Sequence, residues 1–139
     1  MKKEVMLLTG AGQIGMAIAR RMGYGMKIVV GDKRMENAQA VADTMNRAGF
    51  DVLPVEMDLS SRTSILGLIE TAQQYGEMAM LVNAAGVSPS QASVETILKV
   101  DLYGTAVLLE GKHSKKCTFY TLRFGCSFAA VNTIKPQLL

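Results

Sequence analysis

The sequence predicts an α/β fold built around a parallel sheet. Short apolar runs alternate with longer segments of helical periodicity, which is the pattern of repeated strand–helix units. The first run, EVMLL (Glu4–Leu8), is short and apolar from Val5 onward, as a strand covered on both faces is. It ends in a glycine-rich turn that opens into a helix.

The elements follow in order. After Glu4–Leu8, the apolar residues Ile14, Ala17, Ile18 and Met22 recur near helical spacing, and Gly23 and Gly25 stop that helix. KIVVGD (Lys27–Asp32) reads as a second strand, and Met35–Phe50 as a second helix ended by Gly49. Asp51–Asp58 is a third strand, and Pro54 suggests that it starts or flanks an edge. Ser60 or Ser61 can cap a third helix running to about Tyr75. Met78–Gly86 is a fourth strand, followed by a helix over about Ser90–Leu109. Right-handed crossovers would wind these units into a doubly wound layer. No internal repeat or low-complexity linker interrupts them.

Composition narrows the class. A chain of 139 residues with 49% hydrophobic and 19% charged residues suits one globular domain. No apolar run approaches the roughly 20 residues needed to span a membrane. Thr9 and Gly10 break the N-terminal apolar stretch, which favours a first strand and a cytoplasmic protein over a signal peptide. Cys117 and Cys126 form neither a disulfide framework nor metal-site spacing, so they read as ordinary thiols and no metal is expected.

Charge is unevenly placed. Residues 1–110 hold ten Lys/Arg and twelve Asp/Glu, a net −2. Residues 111–139 hold Lys112, Lys115, Lys116, Arg123 and Lys135 and no acid, a net +5. This tail also holds His113, both cysteines and three of the four phenylalanines, whereas all ten methionines lie at or before Met80. It is too apolar for a typical disordered basic arm and carries no nucleic-acid motif, so no nucleic-acid partner is expected. Its segment CTFYTLRFGCSFAAV could add a strand or a helix.

The turn TGAGQIG places Gly10, Gly12 and Gly15 as G-x-G-x-x-G. Gly10 permits a tight turn, Gly12 lets a pyrophosphate approach the backbone, and Gly15 allows close helix–strand packing. The helix that follows presents free amides and a positive dipole end to the phosphate. Asp32 ends the next strand 22 residues after Gly10, where an acid accepts ribose hydroxyls and favours NAD. Lys33 and Arg34 follow at once and could instead meet the 2′-phosphate of NADP. The expected architecture is therefore a Rossmann-like doubly wound parallel sheet. It is incomplete, with about four βα units over 1–110 and an unassigned tail over 111–139.

With these motifs in place, the sequence resembles the short-chain dehydrogenases/reductases over about residues 3–110. The resemblance rests on TGAGQIG, on Asp58 in VEMDLSS, and on NAAG (Asn83–Gly86). The glycine turn is one residue tighter than the family's commonest form. The resemblance implies a nicotinamide dinucleotide held by Thr9, Gly10, Gly12, Gln13, Ile14, Gly15, Asp32, Lys33, Asp58, Leu59, Asn83, Ala84, Ala85 and Gly86. Asp58 would sit by the adenine ring, and Asn83–Gly86 would steady the sheet and line the cofactor. The plainer alternatives are a turn acid or helix cap for Asp58 and a strand-end cap for Asn83.

Asp101 falls on an apolar helical stripe of Val94, Ile97, Leu98, Leu102, Thr105 and Leu109, so it is expected to face protein. A buried carboxylate must pair or take up a proton. The family usually has asparagine here, N-x-x-G against DLYG (Asp101–Gly104), as a member of a proton relay. Asp101 is thus a candidate catalytic residue. The alternative is a helix acid paired with Lys99 or a neighbouring chain.

The resemblance also implies hydride transfer between nicotinamide and a carbinol or carbonyl carbon of a small molecule, with a serine and a Tyr-x-x-x-Lys pair handling the proton. Tyr24, Tyr75, Tyr103 and Tyr120 are followed four residues later by Ile28, Ala79, Val107 and Phe124, never by lysine. Ser127 cannot take the serine role without such a helix. The expectation is a cofactor-binding portion that is inactive alone, with the tail explained by frameshift or truncation or, alternatively, as a genuine accessory. A regulatory dinucleotide-binding module and an S-adenosylmethionine-type site are the competing functions, the latter opposed by NAAG. An unpaired sheet edge and an open apolar stripe would favour a homo-oligomer.

Overall fold

The computed structural model describes residues 3–87, 90–111, 116–123 and 127–131. His113, Cys126 and the basic residues Lys112, Lys115 and Lys135 lie outside them. Six strands form one sheet: β1 (Lys3–Thr9), β2 (Lys27–Asp32), β3 (Asp51–Glu56), β4 (Gly76–Asn83), β5 (Thr118–Arg123) and β6 (Ser127–Val131). Their order is β3-β2-β1-β4-β5-β6. The first five are parallel, and β6 runs antiparallel to β5. The α/β expectation is met. The tail supplies strands: Met80–Asn83 of β4 pair with Thr118–Thr121 of β5.

Helices cover both faces. α1 (Gln13–Met22) and α2 (Met35–Arg47) pack on one. α3 (Arg62–Tyr75) and a helical run made of α4 (Val94–Ile97), a π turn (Leu98–Tyr103) and α5 (Gly104–Gly111) pack on the other. Alternation along β1 separates the two cores. Met6 and Leu8 meet Ala19, Ala42 and Met45, while Val5 and Leu7 meet Ile65, Leu68 and Leu108. Cys117 and Phe119 are buried in the second core. Arg62 clamps Glu110 through two 3.0 Å bonds, tying α3 to α5.

Several boundaries differ from expectation. β3 ends at Glu56, so Asp58 lies in the turn beyond it. β4 starts at Gly76 and stops at Asn83, leaving Ala84–Gly86 as loop. α2 stops at Arg47, just before the positive-φ Gly49. Ser61 caps α3 by accepting from the Ser64 amide, while Ser60 bonds Asp58 instead. Pro54 lies within β3, an outer strand of the described sheet, where a residue without N–H is tolerated.

Two expected apolar stripes are corrected. On α1, Ile14 is 63% exposed and Ala17 is exposed, Ile18 and Met22 pack against the core as expected, and Gly15 and Ala19 are the fully buried residues. The small residues are buried because α1 lies so close to the strands that larger side chains must sit at its flanks. On the last helical run, Val94, Leu98 and Leu102 are 73%, 52% and 66% exposed. Gly104, Val107, Leu108 and Gly111 are buried instead. The row turned toward protein is Ile97, Val100, Asp101, Gly104, Leu108 and Gly111, which keeps helical spacing but lies one residue from most of the expected stripe.

Candidate functional site

The carboxyl ends of β1–β4 converge where the strand order reverses between β1 and β4. This switch point is where doubly wound sheets open a crevice. The Gly10–Gly12 turn is held there from both sides. The Gly10 amide donates to the Gly31 carbonyl at 2.7 Å, and the Ala84 amide donates to the Thr9 carbonyl at 2.8 Å. The Ala11 amide donates to Asp32 Oδ2 at 2.9 Å, so the acid at the end of β2 also secures the turn.

The three glycines have distinct surroundings. Gly10 has φ +91, and a Cβ on it would lie 2.6 Å from the Ala85 nitrogen and 2.7 Å from the Ala84 carbonyl carbon. A Cβ on Gly15 would lie 2.5 Å from the Gly10 oxygen, so α1 could not approach the turn with a larger residue there. Around Gly12 nothing lies within 4 Å of that position. Gly12 is also the N-cap of α1, and no side chain caps the helix. The amides of Gln13, Ile14 and Gly15 thus begin a helix whose positive end is open to an anion. This combination fits a pyrophosphate: an approach without a Cβ, amide donors, and a favourable dipole.

Asp32 is half-buried, and its other oxygen, Oδ1, accepts the Arg34 amide at 2.9 Å. Each oxygen retains a lone pair for a hydroxyl donor. Lys33 is exposed beside it. Asp58 accepts the Ser60 amide at 2.9 Å and the Ser60 hydroxyl at 2.7 Å through Oδ1, and its own amide donates to Ser64 Oγ at 2.9 Å. The Ser60 hydroxyl and then the Ser60 amide hold its carboxyl below the usual aspartate range against the opposing effect of burial, with a smaller contribution from the charge of Lys33. Asp58 is therefore a turn acid that stays ionised at the mouth of the crevice. Leu59 is buried, and the Leu59 carbonyl would lie 2.6 Å from a Cβ on Gly104, which brings the last helical run against this turn.

A polar network runs behind the crevice. The Thr9 hydroxyl donates to Asn83 Oδ1 at 2.6 Å. Asn83 Nδ2 donates to Thr105 Oγ1 at 3.0 Å, and the Thr105 hydroxyl donates to the Asp101 carbonyl at 2.5 Å. Asp101 Oδ1 accepts the Val87 amide at 2.9 Å. Asn83 thus joins three elements rather than capping its own strand end. Asp101 does face protein, but the expected alternative pairing with Lys99 is not formed. Lys99 bonds Glu95 at 2.8 Å, one turn earlier on the solvent face. Two residues apart on a helical run, Asp101 and Lys99 point to different sides, and Asp101 is on the side of the loop after β4.

The structure therefore gathers Thr9–Gly15, Asp32, Lys33, Asp58, Leu59 and Asn83–Gly86 at one end of the sheet. Sequence reasoning missed Ala11 and Ser60, which act through the turn backbone and on Asp58. It took Thr105 as part of an apolar stripe. A threonine four residues after a polar helical residue was the available signal, since threonine hydroxyls often bond the carbonyl four residues back. Among the described residues, no group of three or more His, Cys, Asp or Glu could hold a metal ion. Among them too, no helix is long and apolar enough to cross a membrane.

A profile of the short chain dehydrogenase family matches residues 4–109. The chain is similar to short-chain dehydrogenase/reductase bsc3 of Alternaria brassicicola, 39% identical over 105 residues, which are 76% of this chain and 38% of that protein. It is similar to short-chain reductase protein NovJ of Streptomyces niveus, 27% identical over 127 residues, covering 83% of this chain and 48% of that one. Among solved structures, an actinorhodin polyketide ketoreductase variant with NADPH matches with TM-score 0.70 and 27% identity, covering 79% of this chain and 46% of that one. A short-chain dehydrogenase/reductase from Burkholderia phymatum in complex with NAD matches with TM-score 0.70 and 28% identity, covering 79% and 43%. The chain spans less than half the length of each of these proteins.

Proposed function

The chain belongs to the short-chain dehydrogenase family, and from that premise we propose that residues 1–110 are the dinucleotide-holding portion of an oxidoreductase and bind NAD in preference to NADP. One observation carries the reading. The open side of Gly12, the uncapped start of α1 and the carboxylate of Asp32 stand at adjacent strand ends. A bound nicotinamide dinucleotide would supply hydride exchange with a carbinol or carbonyl carbon. The chain's own residues bind and orient. The amides of Gln13–Gly15 meet the pyrophosphate, and Asp32 accepts ribose hydroxyls. Asp58, Leu59 and Asn83–Gly86 border the adenosine half.

The preference for NAD rests on charge. The carboxylate of Asp32 would repel a 2′-phosphate. The two cations that follow, Lys33 and Arg34, are both exposed, and Arg34 leans toward Glu36 at 3.8 Å, so neither is fixed over the Asp32 carboxylate. Similar structures carry NADPH in one case and NAD in another, so the family accommodates both.

Asp101 is the proposed member of the proton-handling machinery in this chain. None of the four tyrosines is followed by lysine at the fourth position, and on that ground residues 1–139 alone are read as inactive toward an unidentified small-molecule substrate. The same spacing favours the second reading, a dinucleotide-binding regulatory module. Residues 111–139 are its accessory segment in that case. Either reading carries a cytoplasmic location with it.

The test is fluorescence enhancement of NADH and of NADPH by the chain and by Asp32→Ala. The expected result is at least tenfold tighter NADH binding by the wild type, with the margin narrowed in the variant. Equal or tighter NADPH binding by the wild type refutes the NAD assignment. Turnover of simple alcohols or ketones refutes the inactive reading.

A further inference from the structure

The loop after β4 is gripped from behind at two points. Asn83 and Val87 are four residues apart on the loop side, and Asp101 and Thr105 are four residues apart on the helical run. Thr105 Oγ1 receives Asn83 Nδ2 at 3.0 Å, and Asp101 Oδ1 receives the Val87 amide at 2.9 Å. Ala84, Ala85 and Gly86 lie between the two grips. The backbone of Ala84 and Ala85 meets Gly10.

Asn83 is 2% exposed, and its Oδ1 already accepts the Thr9 hydroxyl. Its side-chain amide must therefore donate within the protein, and the Thr105 oxygen is the acceptor. The same hydroxyl donates to the Asp101 carbonyl, inside the π turn that carries the Asp101 side chain to Val87. One hydroxyl thus joins both grips. Among the described residues, no buried side-chain nitrogen or oxygen lacks a partner, so the network is complete as built.

We propose that Thr105 is a positioning residue: its hydroxyl couples Asn83 to the π turn and thereby sets the shape of the Ala84–Gly86 strip that faces the dinucleotide. Its effect on cofactor rests on the reading given above, whereas its effect on the loop does not. Thr105 touches no cofactor and acts through Asn83 and Asp101. A helix end gripping the loop at one point only would let the strip pivot. Two grips four residues apart fix both its height and its tilt.

The experiment compares Thr105→Val, which keeps the shape and removes the hydroxyl, with Thr105→Ser, which keeps the hydroxyl. Hydrogen exchange of the Val87 amide and NADH affinity are read in both. Thr105→Val is expected to speed Val87 exchange at least tenfold and to weaken NADH about fivefold, the loss expected for one hydrogen bond of a buried network. Thr105→Ser is expected to match the wild type in both. Unchanged Val87 exchange in Thr105→Val overturns the proposal, as does a serine variant that fails like the valine one. If the wild type binds no NADH, the cofactor reading fails, and the exchange contrast still decides the role of Thr105. If Thr105→Val does not fold, the wild-type Asn83 side-chain amide decides: slowed exchange supports the coupling, and exchange at the free-solvent rate overturns it.

Discussion

Alanine at Gly10 and alanine at Gly12 should break different things. At Gly10 an L-residue must hold φ +91, which costs about 1–2 kcal/mol. Its Cβ would lie 2.6 Å from the Ala85 nitrogen and 2.7 Å from the Ala84 carbonyl carbon. These atoms cannot swing aside as a side-chain tip can, because the Ala84 amide is bonded to the Thr9 carbonyl. Forcing them apart adds about 1–3 kcal/mol. Gly10→Ala should therefore cost about 2–5 kcal/mol, a large share of the roughly 5–15 kcal/mol that holds a domain together. At Gly12 the backbone sits at φ −89 and ψ 178, which alanine adopts freely, and the added methyl meets nothing within 4 Å. Loss of a good N-cap costs up to about 1 kcal/mol, and the stiffer unfolded chain returns about 0.4–1 kcal/mol. Gly12→Ala should stay within about 1 kcal/mol of wild type. Its methyl would stand where a pyrophosphate approaches, so NADH should weaken at least about tenfold, or 1.4 kcal/mol. Urea unfolding followed by circular dichroism reads the first effect, and NADH fluorescence titration reads the second. If Gly12→Ala binds NADH as the wild type does, the phosphate is not cradled at this turn. If Gly10→Ala unfolds at the wild-type urea concentration, the close approach to Ala84 and Ala85 has been misread.

Two further outcomes are expected. Asp51 receives Lys27 at 2.7 Å and Lys3 at 3.2 Å, and the Lys27 hydrogen bond leads in holding its carboxyl below the ordinary 3.8. Because the folded carboxyl titrates below the unfolded one, this stabilisation is full above about 3.8 and disappears as pH falls through the folded value. At 44% exposure the pair is screened, so Asp51→Asn should lose only about 0.5–1 kcal/mol at neutral pH. The stability gap between wild type and variant should close in acid, and a gap that stays constant with pH would show that the ion pair is not its source. The exposed row of Val94, Leu98 and Leu102 predicts self-association, which Leu98→Glu should abolish in sedimentation velocity. A wild type that sediments as a monomer at micromolar concentration removes this idea.

The strands and the first turn were legible because each carries its own punctuation. EVMLL is too short and too apolar for anything but a covered strand, and Gly10 and Asp32 mark where β1 and β2 end. The position of Asp58 was readable as well, although its bonds to Ser60 were not, since they depend on which of two adjacent serines caps α3. The last helical run was misread for one reason. Val94, Leu98 and Leu102 look like its apolar face, but the inward row lies one residue away and is built partly from Asp101, Gly104 and Gly111, which carry no apolar signal. The strand in the tail was half-visible. Cys117, Phe119 and Thr121 alternate inward along CTFYTLR, and Thr118, Phe119, Tyr120 and Thr121 favour a strand, but only the edge of β4 decides where it pairs.

β1 lies between β2 and β4, and its partner Asn83 is 74 residues from Thr9. Synthesis delivers the amino end first, at about 5–20 residues per second. Thr9 therefore leaves the ribosome about 4–15 seconds before Asn83 can reach it. During that interval β1 can pair with β2 on one side only, and its other edge carries bare amides and carbonyls. Val5 and Leu7 meanwhile await α3 and α5. The strand that ends up with no exposure from Val5 to Leu8 is the inner strand left open longest while the chain is being made, and it is there that a chaperone or a second nascent chain would first find purchase.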